Sequence, residues 1–146
     1  MRLTPEQRDL VQSTFSALAA DPDGATVAML ERLFVLDPGL RYLFPEDLND
    51  QKRRLMSMIG LIVRRLDDWE YVEPRLRNLG LRHVSYGVKP SDYATFGQAM
   101  QDVLAERLGL VSESAALKAW AIVFESVAET MVEAGRAAPS EAAVPG

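Results

Sequence analysis

The chain has 146 residues, 48% of them hydrophobic and 25% charged, which is typical of a single globular domain. Its formal net charge of −5 argues against nucleic-acid binding, and the absence of cysteine excludes disulfides, thiolate nucleophiles and cysteine-ligated iron–sulfur clusters. No apolar signal core opens the chain and no run approaches the length of a membrane span, so we expect a cytoplasmic protein without a membrane segment.

Helix signals follow one another in the first third of the chain. Residues 4–7 read Thr-Pro-Glu-Gln, a capping box with proline in the first turn, and predict a helix to about residue 20. A turn at residues 21–24 separates it from a second helix, which carries Val27 on its apolar side and should end near Asp37. Pro38 then opens a short helical turn.

A long helix is expected from a cap at Asp47 or Asn49 to about residue 66. Its apolar stripe contains Leu55, Met58, Ile59, Ile62 and Val63. Asp67 and Asp68 should break this helix, and a short helix beginning near Trp69 should lead into the segment before residue 87.

The last third predicts two more helices. Ser91 or Asp92 should cap the first, and Gly109 should end it. Ser112 or Ser114 should begin the second. Residues 136–146 have no apolar period and contain two prolines, so we expect a helical domain over residues 1–135 followed by a mobile tail. No stretch alternates like a strand, so the prediction is an all-α fold of about seven or eight helices.

The only histidine, His83, lies on an apolar helix face just before a Gly/Pro corner. Leu76 and Leu79 precede it by seven and four residues, so the three side chains share one face, and Gly87 and Pro90 end the helix. A lone histidine near an apolar face is usually an ordinary core residue. One protein ligand is too few for structural zinc but sufficient for haem, because the porphyrin supplies four nitrogens. If His83 binds a metal, haem is therefore the natural candidate.

These segments resemble the globin family, and in particular the bacterial single-domain haemoglobins of the neuroglobin-like branch. The resemblance covers about residues 4–134 and includes the order of long and short helices. Residues 79–83, 86–88 and 92–93 are similar to the family's proximal region. Further landmarks that match in order and spacing are Pro38, Phe44, Gln51, Trp120 and Phe124.

The resemblance implies a globin fold around haem b (iron protoporphyrin IX), with His83 as the proximal iron ligand. Gln51, 32 residues earlier, would be the distal donor to a bound gas, with Leu30 and Leu55 beside it. Arg54 and Arg82 would pair with the haem propionates, although both could be solvated and Arg54 could instead point into the distal pocket. The residues expected to line the haem are Phe44, Leu55, Leu79, Val88, Tyr93, Phe96, Phe124 and Val127. Ordinary core packing would bury the same apolar residues.

Two departures from the family pattern bear on function. No second histidine is available for bis-histidyl haem, and Leu30 stands where many bacterial relatives carry tyrosine. The resemblance implies reversible binding of dioxygen, carbon monoxide or nitric oxide, for oxygen transport or scavenging, by a monomer or weak homodimer. The alternatives are a nitric oxide dioxygenase or other haem redox enzyme with a separate reductase, or a gas sensor with a separate partner. We expect no reductase domain within these residues.

Overall fold

A computed structural model describes residues 1–137, and the predicted tail lies almost entirely outside these described residues. The elements in chain order are α1 (Pro5–Leu18), α2 (Pro22–Leu36), a 3-10 helix (Pro38–Leu43), α3 (Asn49–Arg64), α4 (Trp69–Ser85), α5 (Pro90–Leu108) and α6 (Ala115–Arg136). Residues 1–137 thus form seven helical segments without a strand, which confirms the predicted all-α class. None of these helices is both long and apolar enough to cross a membrane.

Several predicted helix ends are confirmed and two are wrong. Gln7 N–H donates to the Thr4 side chain, and the Gln7 side chain accepts from Thr4 N–H, as the capping box requires. The cap position of α3 is Leu48, which makes no side-chain bond, rather than Asp47 or Asn49, although the Asp47 carboxylate accepts from Asn49 N–H at 3.0 Å. The residue before α5 is Lys89 rather than Ser91 or Asp92, because Pro90 already occupies the first helical position.

The prediction of a separate short helix near Trp69 is also wrong. The structure has one continuous helix, α4, although Pro74 lies inside it. Proline removes the N–H that would bond to the Glu70 carbonyl. Both residues are exposed, so water can satisfy that carbonyl and the helix continues.

The buried apolar residues form two clusters. The larger one centres on Trp120, whose Nε1–H donates to Thr14 Oγ1 at 2.8 Å. The smaller one contains Leu30, Leu33, Leu40 and Ala99. Partly buried Leu55 and Phe96 contact both clusters. Val27 was expected to face inward, but 38% of it is exposed.

The helix packing of residues 1–137 leaves little contact between α3 and α4. The most extensive packing joins α4 to α6, while α3 packs against α1 and α2. Within residues 1–137, α3 and α4 do not pack extensively against each other. Leu55 of α3 and Leu79 of α4 are only partly buried. Both helices thus present apolar side chains that a ligand between them would cover, and this space is called the cleft below.

Candidate functional site

His83 lies on the last turn of α4 with one ring nitrogen already engaged. Its Nδ1 is 2.9 Å from the carbonyl oxygen of Leu79, one turn earlier. Because a carbonyl only accepts, Nδ1 carries the proton and donates, which leaves the Nε2 lone pair available to a metal. Burial lowers the pKa of His83, the hydrogen bond to Leu79 opposes this shift, and the Arg82 charge adds to it. The neutral imidazole that a metal requires is therefore favoured.

The corner after α4 places the aromatic side chains around His83. Gly87 has φ +95°, a conformation that glycine adopts without strain, and Val88 N–H donates to the His83 carbonyl at 3.0 Å. Lys89 N–H donates to the Asp92 carboxylate at 2.8 Å, which ties the corner to α5. Tyr93 then stacks on the imidazole, with ring centroids 6.3 Å apart and planes 20° apart.

The other side of the cleft is built by α3 and the loop before it. Gln51 lies on the first turn of α3, and Leu55 follows one turn later. Phe44 packs edge-on against Phe34, with ring centroids 5.3 Å apart. The loop is held by Arg41, whose guanidinium donates to the carbonyls of residues 45 and 46 at 2.9 Å each.

Sequence reasoning missed the support that Arg41 gives to this loop. The only signal in the sequence was the position of Arg41, three residues before Phe44 and four before Pro45. Such a spacing does not distinguish a solvated arginine from one that binds backbone carbonyls, because that choice depends on how the loop folds back.

Two buried polar atoms in this region have no hydrogen-bond partner. They are Gln51 Oε1 and the Tyr93 hydroxyl, and no other buried side-chain oxygen or nitrogen of residues 1–137 shares this condition. Folded proteins rarely leave such groups unpaired, so polar ligand atoms are expected near them. Burial and the neighbouring Asp92 charge raise the pKa of Tyr93, so the phenol stays protonated at neutral pH.

The remaining predicted lining residues fall into two groups. Leu79, Phe96, Phe124 and Val127 are partly buried against the larger cluster, whereas Leu30 is buried in the smaller one. Phe124 stacks on Trp120 at 5.4 Å between centroids and meets Phe96 edge-on at 6.3 Å. Val88 is half-buried in the corner. Most of the predicted lining residues are therefore apolar side chains that are only partly buried.

Arg54 and Arg82 are exposed and form no ion pair with another described residue. Tyr86 is 62% exposed, and its ring plane is tilted by 49° from that of His83. Neither guanidinium group thus has an acidic partner within residues 1–137, and the Tyr86 ring lies towards solvent.

These residues fit haem better than a bare metal ion. No group of three or more His, Cys, Asp or Glu side chains in residues 1–137 could hold an ion. A single neutral imidazole beside an apolar cleft suits a group that brings four nitrogens of its own. Two surface clefts lie elsewhere, one of about 360 Å³ beside Phe15 and the other beside the N-terminus. The site is therefore recognised by its residues and not by an enclosed cavity.

Comparison with known proteins gives matches along most of the chain. The family model described as Globin matches residues 27–131. Neuroglobin of Tetraodon nigroviridis is 28% identical over 145 residues, which cover 89% of this chain and 91% of that protein. A flavohemoprotein of Bordetella bronchiseptica is 27% identical over 97% of this chain, but the match spans only 36% of that protein.

Two solved structures share the fold. A bacterial globin from Campylobacter jejuni superposes with a TM-score of 0.80 at 19% identity, covering 91% of this chain and 96% of that one. An engineered carbene transferase, based on a candidate nitric oxide dioxygenase of Rhodothermus marinus, superposes with a TM-score of 0.80 at 24% identity. That match covers 92% of this chain and 94% of the other.

Proposed function

The chain belongs to the globin family, and we propose that it binds haem b through His83 and takes up diatomic gases reversibly. The predicted globin fold is confirmed by the family match and by the two structures that share it. Globins bind haem, and they bind gases such as dioxygen and nitric oxide. The roles of individual residues are our proposal.

Bound haem would supply an iron that binds diatomic gases reversibly. His83 offers Nε2 to that iron, and the Leu79 carbonyl keeps the imidazole neutral and correctly oriented. Gln51, whose buried Oε1 lacks a hydrogen-bond partner, turns its side-chain amide so that Nε2–H donates to the gas. Phe44, Leu55, Phe96, Phe124 and Val127 exclude water from the cleft.

The observation that carries this proposal is the orientation of His83. Its Nδ1–H donates to a neutral backbone carbonyl, and no carboxylate in the described chain hydrogen-bonds to it. A carboxylate partner would make the imidazole a stronger electron donor, because charge-assisted hydrogen bonds are about twice as strong as neutral ones. The neutral partner favours reversible gas binding over bond-cleaving redox chemistry.

The finer assignments extend the same proposal. Arg54 and Arg82 pair with the two haem propionates at the rim, where planar guanidinium groups match carboxylates well. The protein acts in the cytoplasm as a monomer or weak homodimer, and a separate reductase returns ferric iron to the ferrous state.

A second candidate is nitric oxide dioxygenation with that external reductase, which the similarity to a flavohemoprotein favours. Leu30, buried beside the distal side of the cleft, offers no hydroxyl to the gas, so Gln51 would be the only distal donor. Aerobic nitric oxide consumption by the reduced protein with an added reductase tests this activity. A rate no faster than that of the reductase alone would exclude it.

Absorption spectra of the purified protein in ferric, ferrous, carbon monoxide and dioxygen forms test the main proposal. We expect bound haem b, a five-coordinate ferrous form without gas, and a reversible dioxygen spectrum. His83→Ala should lose most haem or hold it loosely until imidazole is added. Ser85→Ala, an exposed position on the same helix turn, is the matched control and should change nothing. Tight haem with an unchanged spectrum in His83→Ala would overturn the assignment.

A further inference from the structure

One side chain holds the loop that joins the 3-10 helix to α3. This loop, residues 44–48, has no regular structure, and its first and last residues, Phe44 and Leu48, pack on the smaller cluster. We propose that Arg41 is a positioning residue of the gas site, because its guanidinium fixes this loop and thereby places Phe44 and Gln51. The inference rests on the proposed function, since it concerns the residues proposed there to meet haem and gas.

The guanidinium of Arg41 reaches three consecutive backbone carbonyls. Its Nη1 donates to the carbonyl oxygens of Phe44 at 3.3 Å and Pro45 at 2.9 Å. Its Nη2 donates to the carbonyl oxygen of Glu46 at 2.9 Å. The donors of a guanidinium lie in one plane with fixed directions, so carbonyls that all bond to it must keep one relative orientation. Hydrogen bonds from a charged donor are also stronger than neutral ones.

These carbonyls have no other hydrogen-bond partner in the described chain. Within residues 1–137, no backbone N–H outside the regular helices donates to them, and Arg41 is the side chain that does. Pro45 has no N–H with which to brace the loop. The helix that follows starts at Leu48 without a side-chain cap. The backbone of residues 44–46 therefore depends on Arg41.

The aromatic contacts of Arg41 lead to the same residue, Phe44. Arg41 is half-buried and forms no ion pair within residues 1–137. Its Cζ lies over the Phe34 ring, 5.7 Å from the centroid, and Phe44 meets that ring edge-on at 5.3 Å. A cation over an aromatic face and an edge-on aromatic pair are both favourable. Arg41 thus binds the backbone of Phe44 and lies over the ring against which Phe44 packs.

The same loop leads directly into the turn that carries Gln51. Glu46, the last residue whose carbonyl Arg41 binds, precedes Gln51 by five residues. Because Gln51 Oε1 is buried without a partner, no hydrogen bond of that atom fixes the amide. The position of the amide therefore follows from the backbone at the start of α3. A displaced loop would move this proposed donor and would also draw Phe44 away from the haem.

The test uses the haem-loaded protein as wild type, as Arg41→Ala, as Arg41→Lys and as the matched control Arg32→Ala. Lysine keeps the positive charge but lacks the planar fork that spans several carbonyls. The control removes an arginine of α2 that binds a carboxylate instead of the loop, since Arg32 Nε donates to Asp102 at 2.7 Å. If Arg41→Ala fails to fold, Arg41→Lys carries the same comparison.

Haem transfer to an apoglobin acceptor and gas release after flash photolysis measure the two expected effects. Both Arg41 variants should lose haem about tenfold faster, which is the change that loss of one strong hydrogen bond produces. Dioxygen should leave about threefold faster, because Gln51 is displaced but still present. Release of carbon monoxide, which is less polar when bound, should change much less. Arg32→Ala should match the wild type in all three rates.

A double-mutant cycle tests the link between Arg41 and Gln51. If Arg41 acts on the gas by placing this amide, its removal has no further effect once the amide is gone. Arg41→Ala/Gln51→Leu should therefore release dioxygen no faster than Gln51→Leu alone. The infrared band of bound carbon monoxide should broaden or split in Arg41→Ala, because the amide then takes more than one position. A loss of fold stability alone would produce neither result.

Wild-type rates of haem loss in both Arg41 variants, or an equal acceleration in Arg32→Ala, would overturn the proposal. Additive free-energy changes in the double variant would also overturn it, because Arg41 would then act on the gas without Gln51. The behaviour of the wild type separates these outcomes from failure of the proposed function. A wild type that binds haem and carbon monoxide, with variants that behave alike, refutes only the role of Arg41. A wild type that binds neither refutes the function itself.

Discussion

Gly80→Ala should push α4 away from α6 and displace His83. A Cβ atom at Gly80 would lie 2.5 Å from the Met131 carbonyl oxygen, 2.8 Å from its Cα and 3.0 Å from its carbonyl carbon. Close carbon–oxygen contacts in proteins are about 3.3 Å, so the helices must separate by about 0.8 Å. Because all three contacts are backbone atoms, no side-chain rotation can relieve the overlap.

His83 is directly coupled to this crossing. It follows Gly80 by three residues, and the next residue, Val84, packs where a Cβ of Gly135 would fall. Both ends of the turn that carries the imidazole are therefore held against α6. Overpacking of this kind costs about 1–3 kcal/mol of unfolding free energy. It should also speed haem dissociation, because the Nε2 position moves with the helix.

Urea unfolding and haem transfer to an apoglobin acceptor measure the two effects. Gly97→Ala is the matched control, because its Cβ would lie 3.9 Å from Phe124 Cβ, an ordinary contact. That control should gain about 0.5–1 kcal/mol from the restricted unfolded chain, while Gly80→Ala loses stability relative to it. If Gly80→Ala proves as stable as Gly97→Ala and keeps the wild-type rate of haem loss, the close crossing does not position His83.

Three further outcomes are expected. Gln51→Leu should raise the dioxygen dissociation rate about tenfold or more, since a hydrogen bond to a polarised acceptor contributes roughly 1.5–3 kcal/mol. Carbon monoxide release should change far less, and parallel changes in both gases by flash photolysis would contradict a hydrogen-bonding role. Trp120→Phe, which deletes the donor to Thr14 Oγ1 and leaves a void, should cost about 1–3 kcal/mol in urea unfolding. An unchanged midpoint would show that this bond contributes nothing. Ending the chain after Arg136 should leave haem content and melting temperature nearly unaltered, and a clear fall in either would mean that the tail binds the domain.

Local signals predicted most of the helices correctly. The Thr4 capping box, the short helical turn after Pro38 and the stop at Gly109 each depend on residues within one turn, and all three are confirmed. Such features are readable from sequence because their hydrogen bonds join near neighbours. The hydrogen bond from His83 to the Leu79 carbonyl belongs to the same class, since it spans one helical turn.

The wrong predictions concern features that depend on contacts between distant residues or on a choice between two competing local signals. The Asp67–Asp68 pair was predicted to precede a separate short helix, yet α4 runs on through Pro74, because packing on α6 outweighs one lost hydrogen bond. The cap of α5 was misplaced because Pro90 and Asp92 both favour a helix start and only the observed backbone separates them. The prediction that Val27 faces the core is wrong. Helical spacing assigns it to the apolar side of α2, but this side is wider than the part of the helix that is buried.

The sequence by itself determined the all-α class, the single histidine and its place on an apolar face before a corner. Those properties follow from residue type and short-range spacing. Only the tertiary structure decided that α4 packs on α6 while α3 packs on α1 and α2, and that Gln51 and Tyr93 hold buried polar atoms without partners. It also decided that Gly80 touches the backbone of α6. Contacts between residues far apart in the chain depend on how whole helices pack, which no local pattern encodes.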